Sequence, residues 1–232
     1  MKWHSLVCDF DGTIATDGIV DEPTCNAIQR IHSMGVKTIL ITGREFPALK
    51  ALNFSLHLFD VIVAENGALL YDVLHDEVQI LGSPPPNRFI SELRHRGVEP
   101  LSIGVSIVAT REPHEVTVLK LIKEMGLELQ VIFNKGAVMI MPPGINKASG
   151  LLAAFDFLQL SPHEAVGVGD AENDHAFLDK CGFPVAVANA LPAVKEKAAW
   201  VTNHEAGAGV VELIDALLRG EFDHLKIKLS SR

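Results

Sequence analysis

An α/β fold is what this sequence predicts: a parallel sheet flanked by helices, with a small α+β module inserted into it. Three observations lead there. Short apolar runs rich in β-branched residues alternate with helix-like segments, as in a sheet buried on both faces. Two proline-rich joints, "GSPPPN" at 82–87 and "MPPGIN" at 141–146, bracket about 60 residues whose pattern differs from the rest. Consecutive prolines continue neither a helix nor a central strand, so both joints read as linkers.

In chain order, the first strand candidate covers 6–10, "LVCDF". A helix candidate at 23–35 has Pro near its start, apolar Ile28, Ile31 and Met34, and Gly at its end, the usual start and stop signals. A second strand at 36–42, a helix at 45–52 and a third strand at 59–66 follow. The inserted module begins with a helix at 87–95. It continues with a strand at 101–110 ("LSIGVSIVAT") and a helix at 114–125. Segments 127–133 and 137–141 flank "NKG", a tight-turn signal for a hairpin. The α/β pattern then resumes, with helices at 147–158, 172–180, 190–197 and 209–218. The strands among them lie at 165–170, 183–189 and, weakly, 199–202. Segment 225–229, "LKIKL", alternates like an edge strand or a frayed end. The expected division is a core of 1–82 and 144–232 and an inserted module of 83–143, hinged at the proline joints.

The 232 residues suffice to bury a core without disulfides. A formal net charge of −9 argues against a nucleic-acid binder. No apolar run approaches the roughly 20 residues that span a bilayer, and the first residues lack the apolar core of a signal peptide. Cys8, Cys25 and Cys181 show no metal or CxxC spacing. A cytoplasmic protein that engages neither membrane nor nucleic acid is expected; oligomeric state is left open.

In open α/β sheets, ligands bind beyond the carboxyl ends of the strands. The residues at those ends are Asp9, Asp11 and Thr13; then Thr42, Gly43 and Arg44; then Glu65, Asn66 and Gly67; then Asp170, Asn173 and Asp174. Lys147 opens the helix after the second joint. Asp9 and Asp170 leave different strands and can converge on one oxygen-liganded cation, which suits Mg²⁺. The Thr42 hydroxyl and Lys147 ammonium suit phosphate oxygens, and Gly12 and Gly43 let backbone N–H groups approach a ligand. A carboxylate beside a metal and a lysine can attack phosphorus. A second one, two residues on, can give and take the proton. Arg44 either meets substrate or pairs with an acidic neighbour. Thr13 either caps a turn or meets a ligand. Glu65 and Asn66 read equally as a turn. Arg111, Glu112 and His114 read equally as a loop or as readers of the substrate's far end.

"DFDGT" (9–13), "ITGR" (41–44), "NKASGL" (146–151) and "GDAENDHAF" (169–177) occur in the order and spacing of four motifs. With them the chain resembles the haloacid dehalogenase superfamily of phosphohydrolases. The insert between the second and third motifs, together with "ENGA" (65–68), resembles its Cof-type, or type-two capped, branch. The resemblance implies a Rossmann-like core with a cap, and Mg²⁺ as cofactor. It implies Asp9 as nucleophile and metal ligand, and Asp11 as general acid/base with its carbonyl on the metal. Thr42 and Lys147 would bind the phosphoryl group and Asp170 would bind the metal, with Asn173 and Asp174 in support; Gly43 and Arg44 belong to the same phosphate-binding set. The implied activity is Mg²⁺-dependent hydrolysis of a small phosphomonoester, a sugar phosphate or phosphoglycolate, through an aspartyl-phosphate. A phosphomutase and a non-enzymatic phosphoacceptor switch are the alternatives. The first lacks a visible second phosphate site, and the second has no use for Asp11.

Overall fold

The run "SLVCD" forms strand β1 (Ser5–Asp9), all five residues buried. Apolar side chains on both faces require cover on both, which places β1 in the middle of the sheet. The computed structural model describes residues 2–52, 54–134 and 136–224. From β1 the chain enters helix α1 (Glu22–Ser33), whose start is fixed by Asp21 accepting a 2.9 Å bond from the Thr24 N–H, with Pro23 in the first turn. Ala27, Ile28 and Ile31 are the buried face. Met34 lies past the last turn and is 66% exposed, so it does not extend that face as its spacing suggested.

Next come β2 (Lys37–Ile41), α2 (Phe46–Lys50), β3 (Val61–Ala64), β4 (Leu69–Asp72) and β5 (Glu77–Ile80). The inserted segment holds α3 (Asn87–His95), β6 (Ser102–Ile103), β7 (Val108–Arg111), α4 (Glu115–Glu124), β8 (Gln130–Asn134) and β9 (Ala137–Met141). The chain then forms α5 (Lys147–Leu158), β10 (Ala165–Gly169), α6 (His175–Leu178), β11 (Phe183–Ala186), α7 (Pro192–Lys197), β12 (Trp200–Val201) and α8 (Ala206–Leu218).

The main sheet has eight strands in the order β12-β11-β10-β1-β2-β3-β4-β5. Strands β12 through β3 are parallel, as predicted. Strands β4 and β5 are antiparallel and correct the all-parallel expectation. Both are only four residues long, β4 buried throughout and β5 exposed throughout, so neither stands out beside the longer buried runs. A single connected core of buried apolar side chains, among them Leu6, Phe10, Ile28, Ile39, Phe155 and Phe177, binds helices and sheet together.

The inserted cap is a second sheet, β6-β7-β9-β8, antiparallel throughout. Helices α3 and α4 cover one of its faces through Phe89, Leu93, Val118 and Leu121, packed on Val108 and Ile140. The single strand expected at 101–110 is instead two short strands turned back at Gly104–Ile107, where the Gly104 N–H meets the Ile107 carbonyl at 2.9 Å. Likewise, the helix expected at 172–180 is a 3-10 turn, Glu172–Asp174, followed by the one turn of α6. Lys135, centre of the "NKG" turn, and segment 225–229 lie outside the described residues. No helix among those described is long and apolar enough to cross a membrane.

Candidate active site

Strand β1 ends on Asp9, whose side chain is nearly buried, at 4% exposure, at the carboxyl edge of the sheet. Alternation turns Phe10 to the fully buried side. Gly12 then reverses the chain with φ +88°. A Cβ there would stand 2.5 Å from Asp170 Oδ2, so only glycine lets the loop after β1 meet the loop after β10.

Lys147 is the first residue of α5, set by a capping box between Asn146 and Ser149. Its Nζ reaches Asp9 Oδ1 at 2.5 Å and Asp174 Oδ1 at 2.6 Å, with all three side chains withdrawn from solvent. The other oxygen of Asp174 accepts the backbone N–H groups of Asp170 and Ala171, both at 2.9 Å. Asp174 thus holds the lysine with one oxygen and shapes the β10 loop with the other. Thr13 Oγ1 donates to Asp170 Oδ1 at 3.2 Å, so Thr13 serves the site through Asp170.

Asp11 is placed differently. Its half-exposed carboxylate is held bidentately by Arg44, Nε to Oδ2 at 2.7 Å and Nη2 to Oδ1 at 2.6 Å. The guanidinium lies 5.0 Å from the Phe10 ring centroid, which limits its freedom. Of the two readings of Arg44, the structure gives the pair with an acid. Thr42 is fully buried at the end of β2, its Oγ1 accepting the Arg44 N–H at 3.1 Å. Asp9, Asp11, Gly43, Arg44, Lys147 and Asn173 line one cleft of about 770 Å³ between the sheet edge and the cap.

Residues 6–83 and 100–214 match the family of haloacid dehalogenase-like hydrolases. The chain belongs to that family. It is 30% identical over 219 residues to the phosphoglycolate phosphatase of Methanothermobacter thermautotrophicus, covering 91% of this chain and 97% of that one. The phosphoglycolate phosphatase of Methanosarcina acetivorans is 29% identical over 222 residues, covering 94% of this chain and 97% of its own. Among solved structures, a haloacid dehalogenase-like hydrolase from Bacteroides thetaiotaomicron superposes with a TM-score of 0.78 at 19% identity, covering 93% of this chain and 99% of that one. The α/β core with an inserted cap is the fold of this hydrolase family, and the chain is an enzyme.

In this hydrolase, Asp9, Asp170 and Asp174 bring carboxylate oxygens within 4.8 Å of one another. Three hard oxygen donors fit a divalent cation such as Mg²⁺. Both oxygens of Asp174 are engaged by Lys147 and by backbone N–H groups. The Asp11 carboxylate is turned to Arg44 and stands outside this cluster; its expected metal contact was through the main-chain carbonyl. Burial, then the negative charge of Asp174, pushes the Asp9 carboxyl up to about 8 against the pull of Lys147. Burial works against the Lys147 ammonium, but Asp174 and Asp9 outweigh it and raise its pKa above the ordinary lysine range.

Three residues of the site were left open or missed by sequence reading. Glu65, fully buried, accepts four backbone N–H groups: Phe46 at 3.1 Å and Val105 at 2.8 Å on Oε1, Ser106 at 2.7 Å and Ile107 at 3.2 Å on Oε2. It ties the exit of β3 to the β6–β7 turn of the cap. Asn66 bridges core and cap beside it, donating to Met139 Sδ at 3.2 Å and accepting from Asn173 Nδ2 at 3.4 Å. Asn189 donates to the Gly12 carbonyl at 2.8 Å and accepts the Ala206 N–H at 2.7 Å, supporting the turn after Asp11. Its signal in the sequence is the polar end of the run "FPVAVAN", the same signal that marks the other strand exits.

Proposed function

We propose that this enzyme hydrolyses a small phosphomonoester, phosphoglycolate, by forming and then cleaving an aspartyl-phosphate at Asp9. The observation that carries the reading is the separate placement of the two acids: Asp9 buried on Lys147, Asp11 at the cleft on Arg44. A buried carboxylate held by a lysine has little to deprotonate and is suited to attack rather than to proton transfer. A solvent-facing acid two residues away is suited to carry the proton.

In this mechanism, Asp9 attacks the phosphorus while Asp11 gives a proton to the departing alcohol oxygen. Asp11 then takes a proton from the water that releases phosphate. Arg44 fixes the Asp11 carboxylate so that the same oxygen serves both steps. Lys147 has three donors, two of them spent on Asp9 and Asp174, and the third is available to a phosphoryl oxygen. The Thr42 hydroxyl and the Gly43 N–H complete the phosphate-binding wall, with Asn173 in support. Asp9, Asp170 and the Asp11 carbonyl would hold Mg²⁺, which would neutralise charge on the phosphoryl group.

The relatives named above support phosphoglycolate as the ester. The cap, inserted between Arg44 and Lys147, supports the type-two capped branch, with a core of 1–82 and 144–232 and a cap of 83–143. No docking of nucleic acid or membrane is part of this reading, and a cytoplasmic location suits three free cysteines. Asp11→Asn tests the mechanism. Acid-quenched protein incubated with phosphoglycolate and Mg²⁺ is expected to carry a phosphoryl group on the peptide containing Asp9. An Asp11→Asn enzyme that turns over at the wild-type rate would remove Asp11 from its role.

A further inference from the structure

We infer that Arg111, on the cap, recognises a carboxylate at the end of the substrate remote from the phosphoryl group. The inference rests on the phosphatase reading above and adds to it the residue that selects the ester. Register across β7 and β9 pairs Ala109 with Met139 and Arg111 with Ala137. These four residues share one face of the cap sheet and line the cleft. The alternate residues Val108, Val138 and Ile140 turn to the cap helices and are fully buried.

This face offers a substrate two alanines, a methionine and one guanidinium. Register also sets Ser102 beside Ala109 on this face, its hydroxyl donating to Glu45 Oε2. Among the described residues, three cationic side chains line the cleft. Lys147 is held by Asp9 and Asp174, and Arg44 by Asp11. Arg111, exposed at the end of β7, makes no ion pair or side-chain hydrogen bond among the described residues. The core side of the cleft carries Asp17, Glu45 and Glu205, which repel an anionic tail and leave Arg111 as its partner. A planar guanidinium accommodates a carboxylate with two parallel hydrogen bonds. With the phosphoryl end fixed at Asp9, the far end of a short ester is the part that meets the cap.

The test is steady-state kinetics of the full chain with Mg²⁺ on 2-phosphoglycolate and on ethyl phosphate, which keeps the ester but lacks the carboxylate. For Arg111→Gln, the ratio of kcat/KM for phosphoglycolate to that for ethyl phosphate is expected to fall about 10–100-fold, the scale of one lost charge-assisted contact. The loss is expected in KM, with partial recovery in Arg111→Lys. If Arg111→Gln leaves that ratio unchanged, or lowers both activities alike, the assignment of Arg111 is wrong while the phosphatase reading stands. If wild-type protein releases no phosphate from either ester, both fall together.

Discussion

At the scale of single residues, two carboxylates two positions apart do different work because each is given a different cation. Asp9 is paired to a lysine 138 positions away and Asp11 to an arginine 33 positions away. Removing the guanidinium leaves Asp11 at the cleft but free to rotate. Arg44→Gln is therefore expected to lower kcat about 10–100-fold, the scale of a small misplacement of a catalytic group, with a smaller change in KM; steady-state kinetics on phosphoglycolate would show it. Burial of Asp9 has a second consequence. Its carboxyl lies near 8 in the folded chain against 3.8 for an ordinary aspartate. The metal-free folded protein thus holds a proton that the unfolded chain releases, and its stability falls as pH rises through that window. In EDTA, urea midpoints of the wild type should drop between pH 5 and pH 8, and Asp9→Asn should flatten that drop. An equal slope in the variant would mean that Asp9 does not carry it. Asp9, Lys147 and Asp170 were legible in the sequence because strand ends and a helix start announce them. The Asp11–Arg44 pair was not, since spacing along a chain does not say which acid a cation will face across a sheet edge.

At the scale of elements, the cap is joined to the core by one buried glutamate more than by its linkers. Glu65 satisfies the N–H groups of the β6–β7 turn, and a Cβ on Gly104 would stand 2.5 Å from its Oε1, so that turn is shaped around the carboxylate. Truncating it leaves buried donors unpaired, at a cost of about 2–4 kcal/mol. Glu65→Ala is expected to lower stability by that amount, raise KM and speed proteolysis within 83–143, with Gln restoring part of the loss; urea melts and limited proteolysis would check it. Unchanged cleavage in the cap would show that other contacts hold it. The same carboxylate explains why 101–110 misled sequence reading: alternation suggested one strand, but N–H groups that would have extended the ladder bind Glu65 instead. Exposed β5 was missed although "EVQI" alternates, because four residues are too short a run to stand out. Boundaries within the parallel sheet were legible to within a few residues, because its central runs are buried on both faces.

At the scale of the whole molecule, a chain of net charge −9 must hold an anionic ester. It does so by gathering Arg44 and Lys147 at one edge of the main sheet, with Arg111 on the cap across the cleft, and by presenting clustered carboxylates that fit a divalent ion. Loss of that ion removes the divalent charge that would hold a phosphoryl group beside these acidic side chains. Chelation is accordingly expected to abolish turnover, and Mg²⁺ to raise the melting temperature of wild type more than that of Asp170→Asn, as read by calorimetry. A core with an inserted cap was legible in the sequence from four motifs and two proline joints; the way the cap seats on the core depends on contacts between distant residues and became visible only in three dimensions. The central claim is that phosphate leaves by way of Asp9. The rate of phosphate release from phosphoglycolate, with and without Mg²⁺, in wild type and Asp9→Asn, addresses it most directly. The account predicts Mg²⁺-dependent release by wild type and none above background from Asp9→Asn; release by the variant at the wild-type rate would contradict it.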